Sequence, residues 1–329
     1  GVPYRQFQQI QQYQMIVSEN SSATNQDKAN LEELLKGQDI QAYQKIYSKT
    51  LDKNFKGKAG LQTITLMMTE KEDLTPFIHL QNHQQELTLK DGVVITAKLA
   101  QLAGVKVGQT FEIEGKELKV AAIAENYVGH FIYMSQASYV QLYGQVPQAN
   151  TYLVRLRDTS ATSIERQAGL LMNQAAVSSV VQNASAIRLF DSVASSLNQT
   201  MTILVIVSVL LAIVILYNLT NINVAERIRE LSTIKVLGFH NKEVTLYIYR
   251  ETIVLSLVGI VLGLVSGFYL HQFLIQMISP ATILFYPQVG WEVYVIPVAA
   301  VSTILTLLGF FVNYHLRKVD MLEALKYVE

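Results

Sequence analysis

His79 and His83 stand four residues apart, a spacing that on a helix would set two imidazoles on one face as a metal pair. The zinc-protease pattern is missing, and Pro76 and Asn82 interrupt any helix there, so ordinary surface or core histidines are the better reading. Glu112 and Glu114, two apart on an expected strand, would need a pocket to act as acid and base, so solvated charges explain them better. Gly57-Lys58 and Gly115-Lys116 lack the glycine spacing and following hydroxyl of a phosphate-binding loop, and no ATP hydrolysis is expected in this chain. The sequence has no cysteine, which removes disulfides, thiol catalysis and Cys-type zinc sites together. The expectation is a chain with no catalytic residue, no metal site and no cofactor of its own.

The remaining chemistry lies in charge. Asn221 to Glu251 is a charged segment held between two long apolar runs. As a helix, it sets Val224, Ile228 and Leu231 on one side, while Glu226, Arg227, Arg229 and Glu230 crowd the rest, the pattern of an amphipathic helix at a surface. Gly238 can close that helix in a left-handed conformation, and Asn241 can cap the next, so the segment reads as helix, tight turn, helix. Arg227, Arg229, Lys235, Lys242 and Arg250 are basic, whereas the other inter-run loop, His271 to Glu292, has no Lys or Arg. The positive-inside bias therefore places the charged segment in the cytoplasm. Its mixed signs favour a protein partner over a lipid surface. Arg250 reads as an interfacial anchor, and Glu251, which the apolar run follows directly, as a cytoplasmic-interface charge with a pairing or contact role.

These residues need a membrane frame, and the composition supplies one. The 329-residue chain is half apolar, with 26 basic and 26 acidic side chains, a balance that makes nucleic acid an unlikely partner. Residues 1–195 have ordinary polarity and are expected to form an α+β extracytoplasmic domain. Residues 196–329 are expected to form an all-α membrane domain with three transmembrane helices at about 199–220, 250–272 and 293–314, joined by the cytoplasmic segment 221–250. The second helix carries Gly259, Gly263 and Gly267 along one face, a strip that allows close approach of a neighbouring helix in lipid. Trp291 and Tyr294 mark the outer edge of the third and Tyr314, Arg317 and Lys318 its inner edge, so the C-terminus is expected inside. With residue 1 outside and no anchor before it, the chain is expected to be the C-terminal part of a longer exported protein.

Within the outer domain, the regular spacing of Phe7, Ile10 and Tyr13 favours a folded edge over disorder. Met15 to Val17 reads as a strand, 20–27 as a polar loop, 31–36 as a short helix and 61–68 as a strand. Asp91-Gly92 makes a turn, 93–95 a strand, and Thr96 caps a helix over 97–103 that Gly104 stops. Strands at 109–113 and 117–123 flank a turn at Glu114-Gly115-Lys116. Ser135 caps a helix to Tyr143, closed by Gly144. Then a strand at 151–156, a helix at 162–173 and a strand at 177–181 make a βαβ crossover. A last helix from Leu189 runs unbroken into the membrane.

The run from Asn221 to Gly238, followed by Glu251 and the Gly259/Gly263/Gly267 ladder, resembles the C-terminal membrane region of FtsX-like permeases, the ABC-transporter subunits related to MacB. Asp91 to Gly108 and Glu125 to Met134 are similar to the extracytoplasmic domain of that family, so the α+β domain is expected to be of the MacB-like periplasmic core type. The resemblance implies a multi-pass permease of a bacterial cell membrane that pairs with a cytoplasmic ABC ATPase, which would bind the ATP. It implies work beside a second permease copy or permease half, in contact with membrane lipid. Carried over by position, Glu226, Arg227, Arg229, Glu230, Lys235 and Gly238 would form or support the ATPase contact. The helix that precedes the outer domain in four-helix permeases is missing here, which fits the last third of the long permeases of Gram-positive bacteria. Two functions follow from the resemblance: export or extraction of a peptide or lipid-like substrate, or transmission of ATP-driven motion to an extracellular cell-wall hydrolase or sensor.

Overall fold

A computed structural model describes residues 5–57, 59–238, 241–278 and 290–318. It divides into two compact units, and among the described residues the division falls between Ala194 and Ser195, inside one long helix.

The first unit is a mixed α/β layer. After a π-helical stretch at Arg5–Ile10 come β1 (Met15–Glu19), α1 (Asn25–Leu35), β2 (Ile40–Phe55), β3 (Gly60–Thr69), the short pair β4 (Gln81–Asn82) and β5 (Gln85–Glu86), and β6 (Val93–Thr96). Next are α2 (Ala97–Ala103), β7 (Thr110–Ile113), β8 (Lys116–Ala124), β9 (His130–Ser135), α3 (Gln136–Tyr143), β10 (Thr151–Leu156), α4 (Ala161–Met172) and β11 (Val177–Gln182). Nine strands form one sheet in the order β11-β1-β10-β2-β3-β9-β6-β8-β7. β1 runs antiparallel to both β10 and β11, so those two are parallel and joined through α4: the expected crossover exists, with β1 inserted between its strands.

Period-two alternation divides the core between the sheet's faces. Ile64, Leu66 and Met68 of β3 and Ile132 and Met134 of β9 pack with Leu99 of α2 and Tyr139 of α3. Met15, Val17, Tyr152 and Val154 pack with Leu31 of α1 and Leu171 of α4. The intervening Met67, Tyr133 and Leu153 meet Leu74, Phe77, Ile78 and Leu89 instead. Ile10 and Tyr13 are buried, so the N-terminal edge is folded.

Local rules fix several ends. Gly104 and Gly144 close α2 and α3 at φ +66° and +81°, and the turn Glu114-Gly115 takes φ +49° and +73°, the backbone of a tight hairpin. α1 starts within the expected loop, because Thr24 and Asp27 form a capping box: the Thr24 hydroxyl accepts from Asp27 N–H, and the Asp27 carboxylate accepts from Thr24 N–H at 2.9 Å.

The second unit is helical: α5 (Asn183–Val236, whose first residues belong to the sheet unit), α6 (Asn241–Ile278) and α7 (Glu292–Lys318, with Pro297 inside it). Three stretches are long and apolar enough to cross a membrane: Asn183–Arg227, Thr245–Ile275 and Glu292–Tyr314. Their outward side chains are apolar and open, as at Leu204, Val205, Leu262 and Phe310. The expected amphipathic surface helix is the continuation of α5 past Asn218–Asn223 to Val236, without a break. No glycine or proline occurs between Asn183 and Val236, so nothing in the covalent chain interrupts it.

Candidate functional site

The polar contacts of the helical unit gather where the charged segment meets the spans. On α5, Thr220, Asn223, Val224 and Arg227 recur at three- and four-residue steps and so share a face. Thr245, Tyr249 and Thr252 do the same on α6, and Leu305, Leu308, Val312 and Asn313 on α7. Tyr249 and Val312 are buried, with Val224, Ile253, Leu305 and Leu308 packed on them. The Tyr249 ring lies beside Gly309, where a Cβ would stand 3.8 Å from its Cε1, an ordinary contact.

Around this apolar centre, hydrogen bonds tie the helices together. Arg227 Nη2 donates to Glu251 Oε2 at 2.7 Å, joining α5 to α6 across the turn. Asn223 Nδ2 donates to Thr252 Oγ1 at 3.4 Å, and Thr245 Oγ1 to Asn313 Oδ1 of α7 at 3.3 Å. In lipid, where apolar side chains gain little by burying against one another, such contacts and close packing hold helices together. Gly238 takes φ +94° in the turn after α5, which a side chain would resist.

The structure therefore sorts the residues expected at the ATPase contact. Glu226 and Glu230 are exposed on α5. Arg227 is bound to Glu251, which supplies the partner for the pairing role expected of Glu251 and joins Arg227 to α6. The side chains of Arg229 and Lys235, and all of Phe239 and His240, lie outside what the structure describes. Thr220, Tyr249 and Asn313 were not singled out in the sequence. Their signal, a polar residue recurring on the face opposite the lipid, emerges only once the helix phase is known.

The glycine strip faces open space within this chain. A Cβ at Gly259, Gly263 or Gly267 would meet nothing within 4 Å, so no described helix of this chain packs on it. The strip instead floors a groove of about 820 Å³ between α5, α6 and α7, with Ile215, Leu264 and Val301 among its apolar walls.

Other candidates resolve differently. His79 and His83 are not on a helix; their ring nitrogens lie 3.2 Å and 3.7 Å from Glu86 and Glu125. Among the described residues no three His, Cys, Asp or Glu side chains converge on a metal position. Glu114 accepts from Lys49 at 2.8 Å, and the Glu112 carbonyl accepts from Lys53.

Residues 202–321 match the family model described as FtsX-like permease C-terminal. The membrane region carries an FtsX-like permease domain. The match spans α5 from Thr202 onward, α6 and α7, and with them the polar junction and the glycine-floored groove. No curated protein matches the chain. Among solved structures, the chain is similar to the periplasmic region of MacB from Actinobacillus actinomycetemcomitans, at 12% identity and TM-score 0.32, over 55% of this chain and 92% of that one. It is also similar to the extracellular domain of the noncanonic ABC-type transporter YknZ from Gram-positive bacteria, at 14% identity and TM-score 0.30, over 51% of this chain and 98% of that one. The FtsX-like domain is thus a membrane element, and the mixed α/β unit precedes it in the chain.

Proposed function

We propose that this chain is the permease part of an ABC-transporter assembly, with ATP bound and hydrolysed by a separate cytoplasmic ATPase. The observation that carries the reading is that the FtsX-like match, 202–321, takes in the second and third candidate spans, the first from Thr202 onward, and the charged turn between the first two. In this reading the sheet unit is extracytoplasmic, the turn at Gly238 and the C-terminus are cytoplasmic, and a second permease copy or half completes the pathway in lipid. Glu226 and Glu230, exposed on the last turns of α5, meet the ATPase together with Arg229 and Lys235, and mixed charge sets orientation and partner choice. Arg227 and Glu251 act behind that contact by holding α5 to α6. The apolar groove favours an amphiphilic peptide or lipid-like substrate.

One observation favours transmission without transport. A helix with no glycine or proline over Asn183–Val236 suits the relay of a push from the cytoplasmic turn to the strand that precedes it. The two readings share the ATPase and differ at the groove, so Gly263→Leu, which fills the groove, would stop transport and leave transmission intact.

The test of the shared reading is co-purification of the full-length parent protein with an ABC ATPase identified by mass spectrometry. Loss of that ATPase from Glu226→Lys/Glu230→Lys, with membrane insertion retained, is the expected result. An ATPase that stays bound to the double variant would move the contact elsewhere, and recovery of none from wild type would remove the permease reading.

A further inference from the structure

In the sheet unit a cavity of about 520 Å³ opens beside the end of β10. Arg155 and Arg157 both line it, as alternate residues on one side of an extended segment must. Gln12, Gln41, Thr159 and Asn183 add amide and hydroxyl groups, and Phe7 an apolar wall. The cavity exists because the sheet loosens here. The β10–β2 register shifts between Arg155 and Leu156, leaving Gln41 without a partner opposite, and the Leu156 N–H donates to the Gln14 side chain at 2.7 Å instead.

The charge in this cavity is one-sided. No carboxylate lines it, and among the described residues neither arginine forms a salt bridge. The carboxylates nearest in sequence or packing are committed elsewhere. Asp158 accepts from the Ser160 N–H at 2.9 Å, Asp39 accepts from Gln167 Nε2 at 2.9 Å, and Glu165 lies 3.9 Å from Arg188. Arg155 spends one N–H on the Pro76 carbonyl at 3.2 Å, which orients the guanidinium and leaves its other donors. The first turn of α5, at Asn183, Ala184 and Ile187, lines the same cavity, and the start of a long helix adds positive potential.

We propose that this cavity is a binding site for an oxyanion headgroup, a phosphate carried either free or on a small lipid, gripped by the Arg155 and Arg157 guanidinia. Planar guanidinia suit paired hydrogen bonds to phosphate oxygens, and the neighbouring amides and hydroxyl supply further donors. The apolar wall at Phe7 would take the first carbons of an attached chain. This site does not depend on the permease reading.

The test is titration calorimetry on the full chain in maltoside micelles, with three probes: inorganic phosphate, dihexanoyl phosphatidylglycerol, and dihexanoyl glycerol as the phosphate-free control. Saturable binding of phosphate alone assigns a free oxyanion; saturation by phosphatidylglycerol but not phosphate assigns a lipid headgroup. In either case Arg157→Gln should weaken binding about tenfold, since a charge-assisted hydrogen bond is lost, and Arg155→Gln/Arg157→Gln should abolish it. Should the double variant fail to fold, Arg157→Glu decides, because Arg157 is exposed and its reversal leaves the core intact. The proposal is overturned if no probe saturates, if dihexanoyl glycerol binds as tightly as phosphatidylglycerol, or if Arg157→Glu binds as wild type does.

Discussion

The two units of this molecule are built inside out relative to each other. In the sheet unit Leu66, Ile95 and Ile132 are fully buried, and charge stays at the rim. In the helical unit Leu204, Val205 and Leu262 stand more than half exposed, while Arg227–Glu251, Asn223–Thr252 and Thr245–Asn313 tie the helices together around the small apolar centre at Tyr249 and Val312. The difference is one of solvent. Water rewards the burial of apolar surface, whereas lipid rewards the satisfaction of polar groups and offers little for apolar contact.

The largest effect that can break this contrast is a truncation on each side of it. Leu66→Ala should cost the sheet unit about 3 kcal/mol, within the usual range for a buried leucine, and Leu204→Ala less than about 0.5 kcal/mol. Thermal unfolding in micelles, followed by near-ultraviolet dichroism, checks both, and equal losses would mean that Leu204 faces protein.

Glycine gives a test of sign. Gly104→Ala forces a side chain into a left-handed conformation and should destabilise by about 1 kcal/mol, whereas Gly263→Ala enters open space on a helix and should stabilise by up to about 1 kcal/mol. A loss at Gly263 in the isolated chain would show that the strip already packs against something.

Smaller still is the ion pair. A double-mutant cycle over Arg227→Ala and Glu251→Ala should return a coupling of about 0.5 kcal/mol, the size expected of a partly exposed pair. Zero coupling would dismiss it as a fastener.

The smallest effect belongs to acid. Asp27, Asp73 and Asp158 each lie below the usual carboxylate range, because the N–H and hydroxyl of Thr24, Thr75 and Ser160 donate to the ionised form. Between the lowered folded pKa and the ordinary unfolded one, the unfolded chain binds more protons, so this stability is present above the unfolded pKa and lost as pH falls through the folded one. Melting temperature against pH should therefore fall less steeply at the acid end in Asp27→Asn than in wild type, and parallel curves would refute the assignment.

Much of this was legible wherever a single residue dictates a backbone state. Gly104, Gly115 and Gly144 mark their turns because the αL region excludes most side chains, and the three spans follow from length and hydropathy alone. The longest strand, β2, was not legible. Its helix-side face reads Tyr43, Lys45, Tyr47, Lys49, Leu51, Lys53, Phe55, and the lysines conceal the alternation. In the structure Lys45, Lys49 and Lys53 lie over the rings of Tyr152, Tyr143 and Phe111, at 5.2, 4.3 and 5.9 Å from their centroids. Their stems cover apolar surface while the charges reach outward. β9 was hidden for another reason: with helix-side Ile132 and Met134 and opposite-face Tyr133 all buried, the run carries no polar alternation at all. Of the candidate site, the charges were visible and their pairing was not, since Arg227 and Glu251 meet only through a turn 24 residues in compass. The Arg155/Arg157 cavity rests on a register slip, which no local pattern announces.

The position of β1 has a consequence in time. It is made well before both of its neighbours, β10 and β11, which come from the far end of the unit, and Asn183 N–H closes the seam on the Gln14 carbonyl at 2.9 Å. A ribosome must therefore deliver Leu156 before this strand has any partner and Gln182 before it has both. By then the start of α5 is already being made, so the sheet is sealed only as the chain commits to its first span.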